Sequence, residues 1–293
     1  MDWITLKPGI VVGIIIVIAA AVIQAFKYFC NTILFMPISE HVWVPEYDHQ
    51  DLYVDGCHIW YFERNRAMDT ILFCHGNWGN ISHRNYMIET LVERGYNVVV
   101  FDYKGYGKSE SMEGYDILGI LKDGMNVYNW LKQRVPESKI IVWGESLGGA
   151  AASYIALRSN CSKLVLWATF SCLYDIARWG NYSFFMKLLA KVSSSIIGDY
   201  RNTECLKRVK CPVLIVHSDE DELIPMKCAE KNARACGGKI LRIKGGHSDP
   251  RLSEDEVAEI FSFIEGVRVT PDEAAKTARK FRRLVEELNA KYQ

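Results

Sequence analysis

The chain has 293 residues, of which 49% are hydrophobic and 12% aromatic, enough apolar material for one large core. Its 35 lysines and arginines equal its 35 aspartates and glutamates, so there is no basic excess for nucleic-acid phosphates, and no nucleic-acid partner is predicted. The nine cysteines include no Cys-x-x-Cys pair, which argues against a zinc site, and most are expected to be buried thiols.

The first predicted element is an apolar helix. Gly9 to Phe26 reads GIVVGIIIVIAAAVIQAF, with Gln24 as the only strongly polar residue. As a helix this stretch is roughly 27 Å long, close to the hydrocarbon thickness of a bilayer. We predict a single-pass membrane anchor over residues 1–30, with a cleaved signal peptide or a buried helix as alternatives. Lys7 and Lys27 flank it on both sides, so its orientation stays open.

Short strands and longer helices alternate over residues 31–266, the predicted main domain. Leu52 to Phe62 is typical of a hairpin turned at Asp55-Gly56. The later strands are continuous apolar runs, as in parallel strands buried on both faces, and are predicted at Thr70–Cys74, Asn97–Phe101, Lys139–Trp143, Lys163–Ala168, Pro212–His217 and Lys239–Ile243. Helices are predicted near 82–94, 114–134, 146–158, 226–235 and 252–265. This order predicts a mostly parallel, doubly wound α/β sheet.

Two segments do not fit a simple alternation. Residues 171–211 separate two strands and are rich in aromatic side chains, and a structureless loop of that length is improbable. We predict a helical cap there. Residues 267–293 form a predicted amphipathic helix that begins at Thr270, with Pro271 in its first turn. This helix either packs on the main domain or binds a partner or an anionic membrane surface.

A glycine-rich turn joins a predicted strand to a predicted helix. Residues 139–149 read KIIVWGESLGG, so Ser146 lies at the junction with Gly144 and Gly148 on either side. A serine in such a turn projects its hydroxyl outward, and the glycines avoid clashes with the neighbouring strand and helix. Ser146 is therefore the candidate nucleophile, the alternative being an incidental serine in a structural turn.

A serine nucleophile needs a base and an acid that orients the base, and in this architecture both follow later strands. His247 follows the strand Lys239–Ile243 and is the only histidine after the acidic cluster 219–222. Within that cluster Asp221 is the preferred acid and Asp219 the second choice.

The oxyanion hole requires two backbone N–H groups. One belongs to Leu147, which directly follows the nucleophile, and the other is expected from the loop after Thr70–Cys74. Asn77 is the preferred donor on that loop and Trp78 the alternative. His75 and Asp102 precede the serine and are expected to have structural roles.

Four segments resemble one known family: HGNWGNISHR (75–84), FDYKGYGKS (101–109), GESLGG (144–149) and DELIP (221–225). They are similar to the serine-hydrolase branch of the α/β-hydrolase superfamily, and within it to membrane-anchored, monoacylglycerol-lipase-like or serine aminopeptidase-like proteins. The resemblance covers about residues 38–266 and implies the α/β-hydrolase fold with a Ser146–Asp221–His247 triad. Ser248, where the family pattern has asparagine, and the helix after Thr270 depart from it.

The sequence thus predicts a serine hydrolase that cleaves an acyl ester or thioester without a metal or cofactor. The aromatic cap and the apolar N-terminal helix favour a lipid-like substrate, such as a monoacylglycerol, a lysophospholipid or an S-acylated protein. A peptidase of the same fold and a catalytically idle, membrane-tethered adaptor are the alternatives.

Overall fold

The computed structural model describes residues 8–65, 68–112, 115–181, 183–197 and 200–292. The helices are α1 (Pro8–Leu34), α2 (Asn85–Glu93), α3 (Ile117–Leu131), α4 (Gly148–Arg158), α5 (Leu173–Trp179), α6 (Phe184–Ile197), α7 (Asn202–Leu206), α8 (Met226–Cys236), α9 (Glu254–Glu265) and α10 (Pro271–Tyr292), with 3-10 turns at Ile81–Arg84 and Glu137–Lys139. The strands are β1 (Met36–Pro37), β2 (Gln50–Val54), β3 (Cys57–Phe62), β4 (Thr70–Cys74), β5 (Trp78–Gly79), β6 (Asn97–Phe101), β7 (Ile140–Glu145), β8 (Lys163–Trp167), β9 (Val213–Ser218), β10 (Lys239–Gly245) and β11 (Pro250–Arg251).

The central sheet has the strand order β11-β10-β9-β8-β7-β4-β6-β3-β2. The pairs from β10 across to β6 are parallel, whereas β2, β3 and β11 pair antiparallel. Every residue of β4 and β6 is buried, as expected for strands covered by helices on both faces. The predicted mostly parallel, doubly wound sheet is confirmed.

The predicted hairpin is formed by β2 and β3. Asp55 and Gly56 both have positive φ, +48° and +80°, as a type I′ turn requires. β3 then pairs antiparallel with β6, which attaches the hairpin to the edge of the parallel sheet.

Apolar side chains cover both faces of the sheet because successive residues of a strand point to opposite sides. In β4, Leu72 packs with the layer formed by α3, α4 and α8, whereas Ile71 and Phe73 pack with the layer formed by α2, α9 and α10. The carboxyl ends of β4, β7, β9 and β10 therefore meet at one edge between two helical layers, where a parallel sheet binds ligands.

The C-terminal helix α10 packs on the main domain. Its buried apolar side chains are Ala274, Ala278, Phe281, Leu284 and Val285. Phe281 lies edge-on to Tyr86 of α2, with 5.6 Å between ring centroids, and 6.0 Å from the ring of Trp167 at the end of β8. The apolar face predicted for this helix is thus covered by α2, α9 and β8.

The segment between β8 and β9 is helical, as predicted for the cap, and consists of α5, α6 and α7. Residues 182, 198 and 199 of this segment lie outside the described residues. On α6, the exposed residues Phe184, Leu188 and Val192 follow one another at intervals of four and form an apolar stripe, with Phe184 83% exposed.

The predicted anchor falls on α1, and residues 1–7 lie outside the described part of the chain. Within the part that is described, no helix combines the length and apolar character needed to cross a bilayer. The transmembrane helix in the predicted fold is therefore not supported. The described apolar side chains of α1, among them Ile16 and Val17, are solvent-exposed.

Candidate active site

Ser146 occupies a sharp turn between β7 and α4. Its φ is +51°, a left-handed conformation that is rare for residues other than glycine, and its N–H donates to the carbonyl of Trp167 at 2.8 Å. A Cβ at Gly144 would lie 2.6 Å from the carbonyl oxygen of Gly148, and one at Gly148 would lie 2.0 Å from the carbonyl oxygen of Cys74. The neighbouring glycines thus allow the strained serine backbone that the sequence motif predicts.

His247 and Asp221 reach Ser146 from the two loops predicted to carry them. Nε2 of His247 lies 3.0 Å from Oγ of Ser146, and Nδ1 of His247 lies 2.8 Å from Oδ2 of Asp221. Both distances are normal for hydrogen bonds, so the three side chains form one connected chain. Asp219, the alternative acid, instead pairs with Arg242 at the surface and is 40% exposed.

The carboxylate of Asp221 is held in a fixed orientation. Its Oδ1 accepts the N–H groups of Leu223 and Ile224 at 3.0 and 2.7 Å, which leaves Oδ2 for His247. The side chain is fully buried, and His217 lies below it with Nε2 3.6 Å from Oδ2. His217 donates from the same nitrogen to the carbonyl of Ile224 at 2.7 Å, and burial lowers its pKa, so it is neutral near pH 7.

His247 is tuned by opposing effects. Burial of the imidazole lowers its pKa, but the hydrogen bond and negative charge of Asp221 outweigh burial, so that the pKa of His247 is raised. Its backbone N–H donates to Oε2 of Glu222 at 3.0 Å. Gly245 has a φ of +89°, and a Cβ there would lie 2.0 Å from the carbonyl oxygen of Asp249. The tight loop after β10 therefore holds His247 facing Ser146.

The loop after β4 lies directly against Ser146. A Cβ at Gly76 would lie 3.3 Å from Cβ of Ser146, so the backbone of this loop is close to the serine side chain. Asn77 is the next residue of the loop. The carbonyl of Asn77 accepts the N–H of Met36 at 3.2 Å and the hydroxyl of Tyr106 at 3.0 Å. Leu147 is buried at the N-terminus of α4, where backbone N–H groups favour negative charge. Leu147 directly follows Ser146 and Asn77 directly follows Gly76, so these two residues remain the predicted oxyanion-hole donors.

A buried ion pair beside the nucleophile was not anticipated from the sequence. Nε of Arg84 lies 3.0 Å from Oε1 of Glu145, and the other carboxylate oxygen accepts the hydroxyl of Tyr86 at 3.0 Å. Nη2 of Arg84 donates to the carbonyl of Trp78 at 3.1 Å. Arg84 therefore links the residue before Ser146 to the loop that carries Asn77.

His75 is the first residue of the loop after β4, and Asp102 directly follows β6. Neither side chain belongs to the hydrogen-bonded chain of Ser146, His247 and Asp221. The ring of His75 is fully buried, and burial lowers its pKa to about 4. Oδ1 of Asp102 accepts the N–H of Ile81 at 2.8 Å. Asp102 therefore orders the 3-10 turn at Ile81–Arg84 as well as its own loop, in which Ser109 donates to its carbonyl at 2.7 Å.

Comparison with known proteins agrees with this architecture. A family model described as serine aminopeptidase, S33, matches residues 65–206. The α/β-hydrolase domain-containing protein WAV2 of Arabidopsis thaliana is 31% identical over 244 residues, which is 75% of this chain and 76% of that protein.

Other relatives have names that state an activity. Lysophosphatidylserine lipase ABHD12 of Danio rerio is 30% identical over 177 residues, 55% of this chain and 45% of that protein. This chain spans about half the length of the curated ABHD12 lipases that it matches. Among solved structures, the Pyrococcus furiosus esterase Pf2001 shares the fold, with a TM-score of 0.60, 17% identity, and coverage of 85% of this chain and 99% of that one.

Proposed function

The chain belongs to the α/β-hydrolase superfamily, and from that premise we propose that it is a serine hydrolase that cleaves the acyl ester of a lipid-like substrate. The observation that carries the proposal is the hydrogen-bonded chain from Ser146 through His247 to Asp221, at 3.0 and 2.8 Å. A serine in this arrangement becomes a nucleophile without a metal or cofactor.

In the acylation step, Nε2 of His247 takes the proton from Oγ of Ser146 as Oγ bonds to the carbonyl carbon of the ester. The carbonyl oxygen becomes an oxyanion, which the N–H groups of Leu147 and Asn77 stabilise. His247 then gives its proton to the departing alcohol oxygen as the ester C–O bond breaks. Asp221 keeps the proton on Nδ1 of His247 throughout, so that Nε2 faces Ser146 as the acceptor.

In the deacylation step, His247 removes a proton from a water molecule, and the hydroxide attacks the acyl carbon bound to Ser146. The second oxyanion collapses, the bond to Oγ breaks, and His247 returns a proton to Ser146. The products are a free carboxylic acid and the alcohol released earlier. Each proton passes through Nε2, so one histidine serves both steps.

Two observations support a lipid as the source of the acyl group. The ABHD12 relatives are named lysophosphatidylserine lipases, and the cap helix α6 presents the apolar stripe formed by Phe184, Leu188 and Val192. We propose a single-chain lysophospholipid as the substrate class. Monoacylglycerols and S-acylated proteins carry a similar acyl carbonyl and are the comparison substrates.

We further propose that α1 attaches the protein to a membrane. Apart from Gln24, its described exposed side chains are apolar, and apolar surface of this extent is stabilised by a nonpolar environment. The test is carbonate extraction of membranes from cells that express the full chain and a chain lacking residues 1–34. Retention of the full chain with release of the shortened chain is expected, and release of both contradicts the proposal.

The hydrolase proposal is tested with a fluorophosphonate probe, which labels an activated serine covalently. We expect labelling of the wild type, loss of labelling in Ser146→Ala, and retention in Ser248→Ala, which removes the exposed serine next to His247. A wild type that does not label supports the idle-adaptor alternative. Equal labelling of Ser146→Ala refutes Ser146 as the nucleophile.

A peptidase is the second candidate because the matching family model is described as a serine aminopeptidase. The same triad cleaves amides and esters, so only the pocket distinguishes the two activities. The discriminating measurement is kcat/KM for lysophospholipids of several chain lengths against aminoacyl arylamides. Higher values for the arylamides overturn the lipid proposal and leave the serine mechanism intact.

A further inference from the structure

A second cluster of polar side chains lies beneath the loop that carries Asn77. It consists of His41, His58 and Asp102, whose ligating atoms all lie within 4.8 Å of one another. Asp102 and His58 are fully buried, and the side chain of His41 is only 6% exposed. The cluster joins the segment before β2, the strand β3 and the loop after β6.

The atoms that face one another in this cluster lack hydrogen bonds. In the described part of the molecule, both ring nitrogens of His41, Nδ1 of His58 and Oδ2 of Asp102 have no hydrogen-bond partner. A buried polar atom without a partner costs roughly 1–3 kcal/mol, so several together require an explanation.

The positions of the imidazole protons of His58 and His75 add to the free-energy cost of burying the Asp102 carboxylate. Nε2 of His58 lies 2.7 Å from Oδ1 of Asp51, so the imidazole donates from that nitrogen and Nδ1 carries a lone pair in the neutral ring. That lone pair faces the carboxylate of Asp102, whose Oδ2 is 3.5 Å away. On the other side of the carboxylate, Nδ1 of His75 donates to the carbonyl of Gly76 at 2.7 Å, so Nε2 presents a second lone pair, 3.7 Å from Oδ1.

A fully buried carboxylate facing electron pairs needs a cation between them. Among the described residues, Asp102 forms no ion pair with a lysine or arginine, and its charged-group contacts are His41, His58 and His75. The carboxylate is therefore stabilised either by an imidazole N–H or by a bound metal ion.

The distances favour a metal ion. A hydrogen bond from an imidazole N–H to a carboxylate is about 2.7–2.9 Å long, as between His58 and Asp51. The other ring nitrogen of His58 is 3.5 Å from Oδ2 of Asp102, and Nε2 of His41 is 3.4 Å from the same oxygen. Two ligands each about 2.1 Å from a tetrahedral ion lie about 3.4 Å apart. Both separations from Oδ2 of Asp102 match that value.

We propose that His41, His58 and Asp102 bind one divalent transition-metal ion, and that the ion is Zn²⁺. Two imidazole nitrogens and one carboxylate oxygen suit Zn²⁺, whereas Mg²⁺ and Ca²⁺ prefer oxygen ligands alone. Asp51 accepts the N–H on the far side of the His58 ring, the position in which a carboxylate orients a metal-bound histidine. A water molecule takes the fourth position.

The ion would have a structural role. Oδ1 of Asp102 accepts the N–H of Ile81, and Nδ2 of Asn80 donates to the carbonyls of Ile38 and Glu40 at 2.8 Å each. A metal bound to His41 and Asp102 would hold the segment before β2 and the loop after β6, which both contact the 3-10 turn that begins after Asn80. It therefore supports the loop that lies against Ser146 without taking part in ester cleavage.

The test measures metal content and needs no substrate. The full chain is purified without chelators, and bound metals are quantified by mass spectrometry. We expect about one zinc per chain, its loss in His41→Ala and Asp102→Asn, and its retention in His49→Ala, a matched change of a nearby histidine outside the cluster. Asp51→Asn should bind zinc roughly 10- to 100-fold more weakly.

Metal-free wild type provides a readout that does not depend on whether variants fold. Added Co²⁺ should give the visible absorption bands of a tetrahedral site, and one equivalent of Zn²⁺ should raise the melting temperature. Absence of metal from the purified chain together with no Co²⁺ bands refutes the proposal. Zinc that stays bound in His41→Ala places the ion elsewhere and also refutes it.

Discussion

Asp221→Asn is the sharpest test of the proposed mechanism because the structure determines how the new amide must lie. Oδ1 of Asp221 accepts two backbone N–H groups, from Leu223 and Ile224. The amide oxygen of asparagine must keep that position, since an NH₂ group there would face two donors. The NH₂ group then lies where Oδ2 met Nδ1 of His247.

An NH₂ group at that position donates to Nδ1, so the imidazole carries its proton on Nε2. That proton faces Oγ of Ser146, and His247 can no longer accept the serine proton. Loss of the correct tautomer in a serine triad lowers kcat roughly 10⁴-fold, which corresponds to about 5.4 kcal/mol of transition-state stabilisation. The two backbone hydrogen bonds remain, so unfolding should change little.

The assay is the hydrolysis of a chromogenic short-chain ester, with kcat and KM measured separately, beside urea unfolding of the same preparation. Asp219→Asn is the matched control, because it makes the same chemical change two residues away in a side chain paired with Arg242. A loss of less than about 10-fold in Asp221→Asn, or an equal loss in Asp219→Asn, refutes the assignment of the acid.

Four further predictions follow from the described contacts. The kcat/KM should rise with pH as His247 loses its proton, with a pKa above the ordinary histidine value. The pKa is raised because the effect of the Asp221 carboxylate outweighs that of burial, which lowers it. A pH-independent profile between about 5 and 9 contradicts this prediction. Ser146→Gly should be inactive yet more stable than Ser146→Ala by about 1–3 kcal/mol in urea unfolding, because glycine tolerates the φ of +51°. Arg84→Met should destabilise the fold by about 3–5 kcal/mol, because the buried Glu145 loses its ion-pair partner. The double variant Arg84→Met, Glu145→Gln should recover part of that loss. If the single and the double variant lose the same free energy of unfolding, the ion pair does not stabilise the fold. Phe281→Ala should cost about 3–5 kcal/mol, and a cost near zero means that α10 is not part of the core.

The sequence was sufficient to predict the sheet and the order of its elements. The parallel strands other than β10 are mostly apolar runs, and the observed strands begin and end within two residues of the predicted bounds. The prediction of a continuous apolar run is wrong for β10, which reads KILRIKG and alternates exposed and buried residues because it is covered less completely than the strands at the centre of the sheet. Ser146, Asp221 and His247 could be proposed because each follows a predicted strand directly, so the carboxyl ends of β7, β9 and β10 bring them together. The strands β1, β5 and β11 have two residues each and give no periodic signal.

Contacts between residues far apart in the chain could not be predicted. Arg84 meets Glu145, and His41 meets Asp102, across several elements, and no spacing rule connects them. The lack of Cys-x-x-Cys pairs argued against a zinc site, but that pattern cannot reveal a candidate site made of histidine and aspartate. For α10, amphipathic periodicity indicated an apolar face but not what covers it, and only the three-dimensional contacts of Phe281 identify α2 and β8.

The position of Phe281 has a consequence for the order in which the protein folds during synthesis. Its ring contacts Tyr86, whose hydroxyl binds Glu145, and Trp167, whose carbonyl binds the N–H of Ser146. A ribosome that has translated as far as α9 has already made Ser146, Asp221 and His247, yet the aromatic surface behind the nucleophile is still uncovered. The support behind Ser146 therefore forms only when α10 docks, after the three residues of the hydrogen-bonded chain have been synthesised.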